Sequence, residues 1–226
     1  MPNDEEYGYY FYDINAKINH KFSDRSRIYL SVYNGKDHFA ANYDGDTDSK
    51  DGSTMNWGNT IVSARWNYIF NNRLFSNTTV SYNNYLFDVN SYNNNKYANS
   101  MGASIINRYS ADYRSGINDW SYQIDFDYNP PPAHHIKFGT GYIYHRFRPE
   151  VMTSKISEKT GDKVDRDTTY HSIANSRIYG HELSAYLEDN IKVNDRLRLN
   201  LGLHFSLFQV QKQSYSSLQP RVSARY

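Results

Sequence analysis

The stretch "LRLNLGLHFSLF", residues 197–208, decides the reading of this chain. Its odd positions are all apolar: Leu197, Leu199, Leu201, Leu203, Phe205 and Leu207. The even positions begin Arg198, Asn200, Gly202, His204 and Ser206. A period of two puts these sets on opposite faces of one β-strand. The strand has one greasy face and one wet face, so the fold turns on what each face meets.

The same alternation recurs along the chain, which predicts nine strands. The first, 9–22, sets Tyr10, Tyr12, Ile14, Ala16, Ile18 and Phe22 against Asp13, Asn15, Lys17, Asn19 and Lys21. The second, 27–39, sets Ile28, Leu30 and Val32 against Tyr29, Ser31 and Tyr33. The third, 57–70, carries Val62, Ala64, Trp66, Tyr68 and Phe70 on one face, and the fourth, 74–87, carries Leu74, Thr78, Val80, Tyr82 and Leu86. The fifth, 118–129, alternates Trp120, Tyr122, Ile124, Phe126 and Tyr128 with Ser121, Gln123, Asp125 and Asp127. The sixth, 136–148, shows Ile136, Phe138, Tyr142 and Tyr144, and the seventh, 177–193, shows Leu183, Ala185, Leu187, Ile191 and Val193. The quoted strand is the eighth, and "LQPRVSARY" at 218–226 is the ninth.

The connections between these strands differ in length by turns. Short turns are read at 23–26, 71–73, 129–135 and 194–196, and long polar loops at 41–56, 88–117 and 149–176, with a linker at 211–217. The three prolines of "NPPPAHH" cannot donate to a ladder, which marks 129–135 as a turn. Short turns at one end and long loops at the other are the rhythm of an up-and-down transmembrane barrel. The strand lengths agree. Spanning a bilayer takes about 9–11 tilted residues, against about 5–6 for a typical globular strand. Aromatic residues gather at strand ends on the apolar face, where amphipathic rings favour the membrane interfaces.

Composition fits. Only 38% of the 226 residues are hydrophobic, yet there are 23 tyrosines, and mean hydropathy is −0.83. A disordered chain lacks such aromatics. A barrel wall with a polar lumen needs only half of each strand to be apolar, so it reads as hydrophilic on average. The absence of cysteine excludes disulfides, thiolate metal sites and a cysteine nucleophile. A net charge of +1, with both signs interspersed, implies no nucleic-acid partner. No apolar run reaches the roughly 18 residues of a membrane helix. "MPNDEEYGYY" has neither the basic start nor the apolar stretch of a secretion signal.

Three segments resemble the barrel of Bacteroidetes TonB-dependent outer-membrane receptors: "YFYDINAKINHKFSDRSRIYLSVYNGKDHF" (10–39), "IDFDYNPPPAHHIKFGTGYIYHRFRP" (124–149) and "AYLEDNIKVNDRLRLNLGLHFSLF" with "LQPRVSARY" (185–226). The resemblance covers nearly the whole chain, and "SAYLEDNIKVNDRLRLNLGLHFS" is its most specific part. It implies an all-β, antiparallel up-and-down transmembrane β-barrel section, about nine strands of a barrel of about 22. It implies residence in the Gram-negative outer membrane among outer-membrane lipid, and uptake powered by the TonB complex through a plug domain. The cargo would be a small molecule or a glycan: a ferric siderophore, a corrinoid or a carbohydrate. This sequence shows no plug, no TonB box and no closing strand, so residues 1–226 are expected to form a partial outer-membrane barrel domain. The rival expectation is a small self-contained outer-membrane barrel with an adhesin or structural role.

No residue set calls for catalysis or a cofactor, and none is assigned as a metal or ligand site. The adjacent His134 and His135 point to opposite faces of an extended chain and cannot share a metal. His145, His181 and His204 read as lumen or interface polar groups. Asp44, Asp46 and Asp48 hint at calcium, because hard cations favour clustered carboxylates. The calcium-loop pattern and its terminal Glu are missing, so 41–56 reads as a solvated outer loop. Asp125 and Asp127 share one face, as acid–base work requires. That face is the wet one, where charges simply line water, and Glu182, Glu188 and Lys192 read the same way. No G-x-S-x-G elbow occurs, and "GTGYIY" (139–144) lacks the third glycine and helix of a phosphate loop. Gly139 and Gly141 are expected on the lumen face, leaving room for a plug or cargo.

The face assignment is testable in the parent protein. Leu201→Arg, at the bilayer midplane, is expected to cost roughly 2–4 kcal/mol and block membrane assembly. Asn200→Arg, facing the lumen, is expected to be tolerated. Equal assembly of the two variants in outer-membrane fractions would refute the assignment.

Overall fold

The computed structural model describes residues 4–45, 49–172 and 177–226. They form one antiparallel sheet of ten strands, with no helix. The strands are β1 (Asp4–Ser23), β2 (Ser26–Asp44), β3 (Ser49–Asn71), β4 (Leu74–Ala98), β5 (Ser104–Tyr128), β6 (His134–Thr160), β7 (Lys163–His171), β8 (Ile178–Lys192), β9 (Arg198–Val210) and β10 (Gln213–Arg225). Each pairs with its sequence neighbour, except that β8 returns to pair with β6, and β7 folds back on the outer half of β6. The open edges of β1 and β10 do not pair with each other.

Register carries the sequence alternation across the whole wall. Ile18 stands opposite Leu30, Leu30 opposite Ala64, Ala64 opposite Val80, and Val80 opposite Tyr122. The row continues through Tyr142, Leu183 and Leu207. One face is therefore apolar from end to end. Nothing in the described protein covers it: no hydrophobic residue is buried, and Leu187 keeps 55% of its surface exposed. An uncovered apolar face of this extent is unstable in water. It fits hydrocarbon as its solvent.

Aromatic rings bound the apolar band. At the short-turn end Trp66, Tyr68 and Phe70 pack in succession, and Phe126 stacks on Phe138 at 4.9 Å. At the other end Tyr82 meets Trp120 at 4.9 Å, and Tyr144 stacks on Tyr179 at 6.0 Å. On β5 the band runs from Tyr128 to Trp120, which at about 3.3 Å per residue and a tilt of about 40° gives roughly 20 Å of height. All 25 residues of β5 span roughly 80 Å. Most of that strand therefore lies outside the bilayer.

This length corrects the sequence reading. The described residues form ten strands, where the alternation predicts nine. The expected loops 41–56, 88–117 and 149–176 are largely strand. β2 and β3 extend to Asp44 and from Ser49, β4 and β5 close around 99–103, and β6 with β7 builds a hairpin across 149–171. The expected linker 211–217 is a tight turn between Val210 and Gln213. Above the band both faces meet water, so the pairing continues while the apolar alternation stops. The outward residues there are polar and bonded in rows: Asn34 donates to Thr60 at 2.8 Å, and Asn118 to the Tyr82 hydroxyl at 3.1 Å.

Candidate functional site

The face opposite the apolar one is mostly polar, with Ile61, Ile143 and Phe147 among its apolar members, and many of its side chains are tied from strand to strand. Ser31 and Ser63 share a hydrogen bond of 2.7 Å, and Ser81 and Ser121 one of 2.5 Å. These four serines occupy one register row across β2–β5, so the wet face is bonded transversely as well as through the backbone.

Strands β5 and β8 both carry carboxylates on this face. Asp125 accepts from the Tyr186 hydroxyl at 2.8 Å and from Gln123 at 2.9 Å. Asp127 bonds His135 at 2.9 Å. Glu188 accepts from Asn190 at 3.0 Å and from Asn200 at 2.7 Å. Higher up, His145 bonds Asp119 at 2.8 Å and lies 3.6 Å from Glu182. Phe147 stacks on the His145 ring at 5.5 Å. Asp119 and Glu182 thus flank one histidine, whereas Asp125, Asp127 and Glu188 have separate partners. Asp125 and Asp127 share the face as the sequence implies, but their partners hold them in separate bonds, an arrangement of structural carboxylates rather than of a proton-sharing pair.

The histidine pair divides as expected. His135 turns to the wet face, and His134 bonds Asp189 at 2.7 Å on the apolar face near the short turns. His145 and His204 lie on the wet face. His181 lies on the apolar face, at the upper aromatic level, where the Tyr142 hydroxyl meets it at 2.7 Å. Lys192 pairs with Asp195 at 2.6 Å in the turn beyond β8. Asp44 ends β2 and pairs with Lys50 at 3.0 Å; Asp46 and Asp48 lie outside the described residues. Among the described residues no group of three or more His, Cys, Asp or Glu is placed to hold a metal ion.

Gly139 and Gly141 lie on the wet face, but the space over them is taken. A Cβ on Gly139 would meet Tyr186 Cε1 at 2.8 Å and the Ile124 carbonyl oxygen at 2.6 Å, and one on Gly141 would meet the Ser184 hydroxyl at 2.9 Å. The Tyr186 ring crosses β6 through the gap left by Gly139 to reach Asp125 on β5. Sequence reasoning missed Tyr186, because its role depends on the register that sets it opposite Gly139.

At the far end of β1–β5 the wet face opens into a groove of ≈ 430 Å³, whose lining includes Tyr7, Tyr43 and Tyr109 with Glu5, Asp51 and Asn93. The Tyr7 hydroxyl donates to Glu5 at 2.9 Å, and that carboxylate holds the phenol above its usual pKa. Asn93 donates to Asp51 across the β3–β4 pair. Rings and paired acceptors at the mouth can grip a polar solute by stacking and hydrogen bonding.

A wall with one lipid face, one wet face and strands prolonged beyond the bilayer defines a section of an outer-membrane β-barrel. The family described as TonB dependent receptor-like, beta-barrel matches residues 2–226, and the chain belongs to that family of outer-membrane transport receptors. No curated protein sequence matches it. Among solved structures, the ferric preacinetobactin receptor BauA from Acinetobacter baumannii aligns over 98% of this chain and 44% of its own, with a TM-score of 0.51 and 8% identity. The RagAB peptide importer in its "open-open" state aligns over 89% of this chain and 32% of its own, with a TM-score of 0.50 and 8% identity. The chain thus spans less than half the length of either, and at such identity the likeness is one of fold.

The Tyr186 bridge is testable. Tyr186→Phe removes one hydrogen bond from Asp125 and is expected to lower stability by about 1–2 kcal/mol. Gly139→Val must displace the ring and is expected to cost more. Urea midpoints of the receptor folded in detergent micelles measure both. A Gly139→Val variant as stable as the parent would show that the ring does not occupy the gap.

Proposed function

We propose that residues 1–226 form part of the barrel wall of a TonB-dependent transporter that takes up a scarce nutrient across the outer membrane. The rest of the wall and a plug domain would complete the receptor. The observation that carries this reading is the wet face. It is broad, hydrogen-bonded across strands and dense in carboxylates, which suits it to line a wide lumen and bear against a plug. The prolonged outer hairpins and their tyrosine-lined groove suit capture of cargo before it enters. BauA is named for ferric preacinetobactin and RagAB for peptides; a ferric siderophore, a corrinoid or a glycan is the cargo class proposed for this chain.

The alternative of a self-contained barrel with an adhesin role has less support, since β1 and β10 do not close on each other. Uptake separates the two readings. Cells expressing the parent protein are expected to accumulate a labelled cargo only while TonB and the proton gradient are intact. Accumulation unchanged by deletion of TonB would contradict an energised transporter.

A further inference from the structure

The outer face of β2–β4 carries a cavity that transport does not use. Its volume is ≈ 200 Å³, and Asn34, Lys36, Gly58, Thr60, Asn84 and Asp88 are in its lining. Register fixes its height. Val32, Val62 and Tyr82 share a row with Trp120 at the upper aromatic edge of the apolar band. A period of two sets Asn34, Thr60 and Asn84 next above them on the same side of the sheet. Lys36, Gly58 and Leu86 follow, and then Asn56 and Asp88. The cavity therefore faces away from the lumen, in the first three rows beyond the hydrocarbon.

Gly58 makes the depression. Lys36 on β2 and Leu86 on β4 flank it, and no side chain rises between them. A Cβ at Gly58 would meet the Gly35 carbonyl oxygen at 2.7 Å. The walls are braced by hydrogen bonds. Asn34 donates to Thr60 at 2.8 Å. Asn118, which accepts from Arg146 at 2.8 Å, donates to the Asn84 oxygen. His38 stacks on Tyr10 at 4.7 Å and bonds Asn56 at 2.7 Å, and Asn56 donates to Asp88 Oδ2 at 2.9 Å.

These bonds engage one polar atom of each wall group. The Asn34 oxygen, the Asn84 nitrogen and Asp88 Oδ1 have no partner among the described residues, and none of the three is buried. Lys36 is exposed and makes no ion pair among the described residues. The cavity thus presents open donors and open acceptors together. A hydroxyl is both donor and acceptor, so a polyhydroxylated ring matches such a set. Lys36 is the one cation in the described lining, and Asp88 opposes a bare anion. Tyr12 and Leu86 add apolar surface at the edge for the carbon face of a ring.

We propose that this cavity binds a sugar ring in the headgroup of an outer-leaflet glycolipid. Its volume lies below the roughly 300–1,000 Å³ of sites for drug-sized ligands, which fits a single ring. Its height supplies the source. The opening lies outside the wall, where the aromatic edge gives way to the headgroup layer, and cargo crossing the lumen does not meet it. The proposal rests on the outer-membrane placement of the wall and is independent of what the receptor transports.

The test uses the complete receptor purified in detergent, with native mass spectrometry to count retained lipid. The probes are glucosyl diacylglycerol and phosphatidylglycerol with the same acyl chains. The wild type is expected to retain the glucosyl lipid at least fivefold more than the phospholipid. The Lys36→Ala/Asp88→Ala double variant is expected to lose that preference. Lys36→Ala alone, at an exposed side chain without an ion pair, is expected to lower it, and it serves if the double variant fails to assemble. Free glucose at equal concentration is expected not to displace the glucosyl lipid. Equal retention of the two lipids by the wild type, an unchanged preference in the variants, or full displacement by free glucose would overturn the proposal.

Discussion

A backbone amide in hydrocarbon has no water to bond, and every other feature of this protein follows from that constraint. An unpaired N–H or C=O there costs several kcal/mol, so strands cross a membrane only when both edges are paired. The sheet meets the demand by simple succession, each spanning strand from β2 to β9 being flanked on both sides. β1 and β10 each have one free edge, and in a bilayer those edges require partners from the remainder of a closed wall. The proposed receptor supplies them.

Once the backbone is satisfied by pairing, the side chains are free to answer to two solvents. The apolar row from Ile18 to Leu207 has no protein packed on it, so its stabilisation comes from lipid, at about 25 cal/mol for each Å² removed from water. The opposite face carries serine, asparagine and carboxylate bonded across strands, which stiffens the wall where it borders a lumen. Beyond the aromatic edges water meets both faces, and the same hydrogen-bond ladder continues as hairpins. Their groove lies on the wet face, beyond the level of the hydrocarbon.

The physics of alternation explains what was legible in the sequence. Inside the bilayer the two faces meet different solvents, so Leu201 and Asn200 declare themselves, and the same holds for Trp120 to Tyr128 and for Ile28 to Val32. The divergence of His134 and His135 follows from extended geometry alone. Outside the bilayer that contrast vanishes. Residues such as Asn90, Ser91 and Tyr92 are strand, yet nothing in their polarity says so, and for this reason 88–117 read as loop and β7 went unseen. Register was also hidden. That Tyr186 fills the gap over Gly139, and that Arg146 meets Asn118, depends on which residue stands across the ladder, and composition does not encode it.

The central claim is that the apolar face meets lipid and the polar face meets water. Single nitroxide labels at positions 201 and 200 of the parent protein in bilayers, introduced as the sole cysteines, test it directly. Oxygen, which concentrates in hydrocarbon, is expected to relax the label at Leu201, and a water-soluble nickel chelate the label at Asn200. Preferential relaxation of the Leu201 label by the nickel chelate, or indistinguishable behaviour of the two sites, would contradict the account.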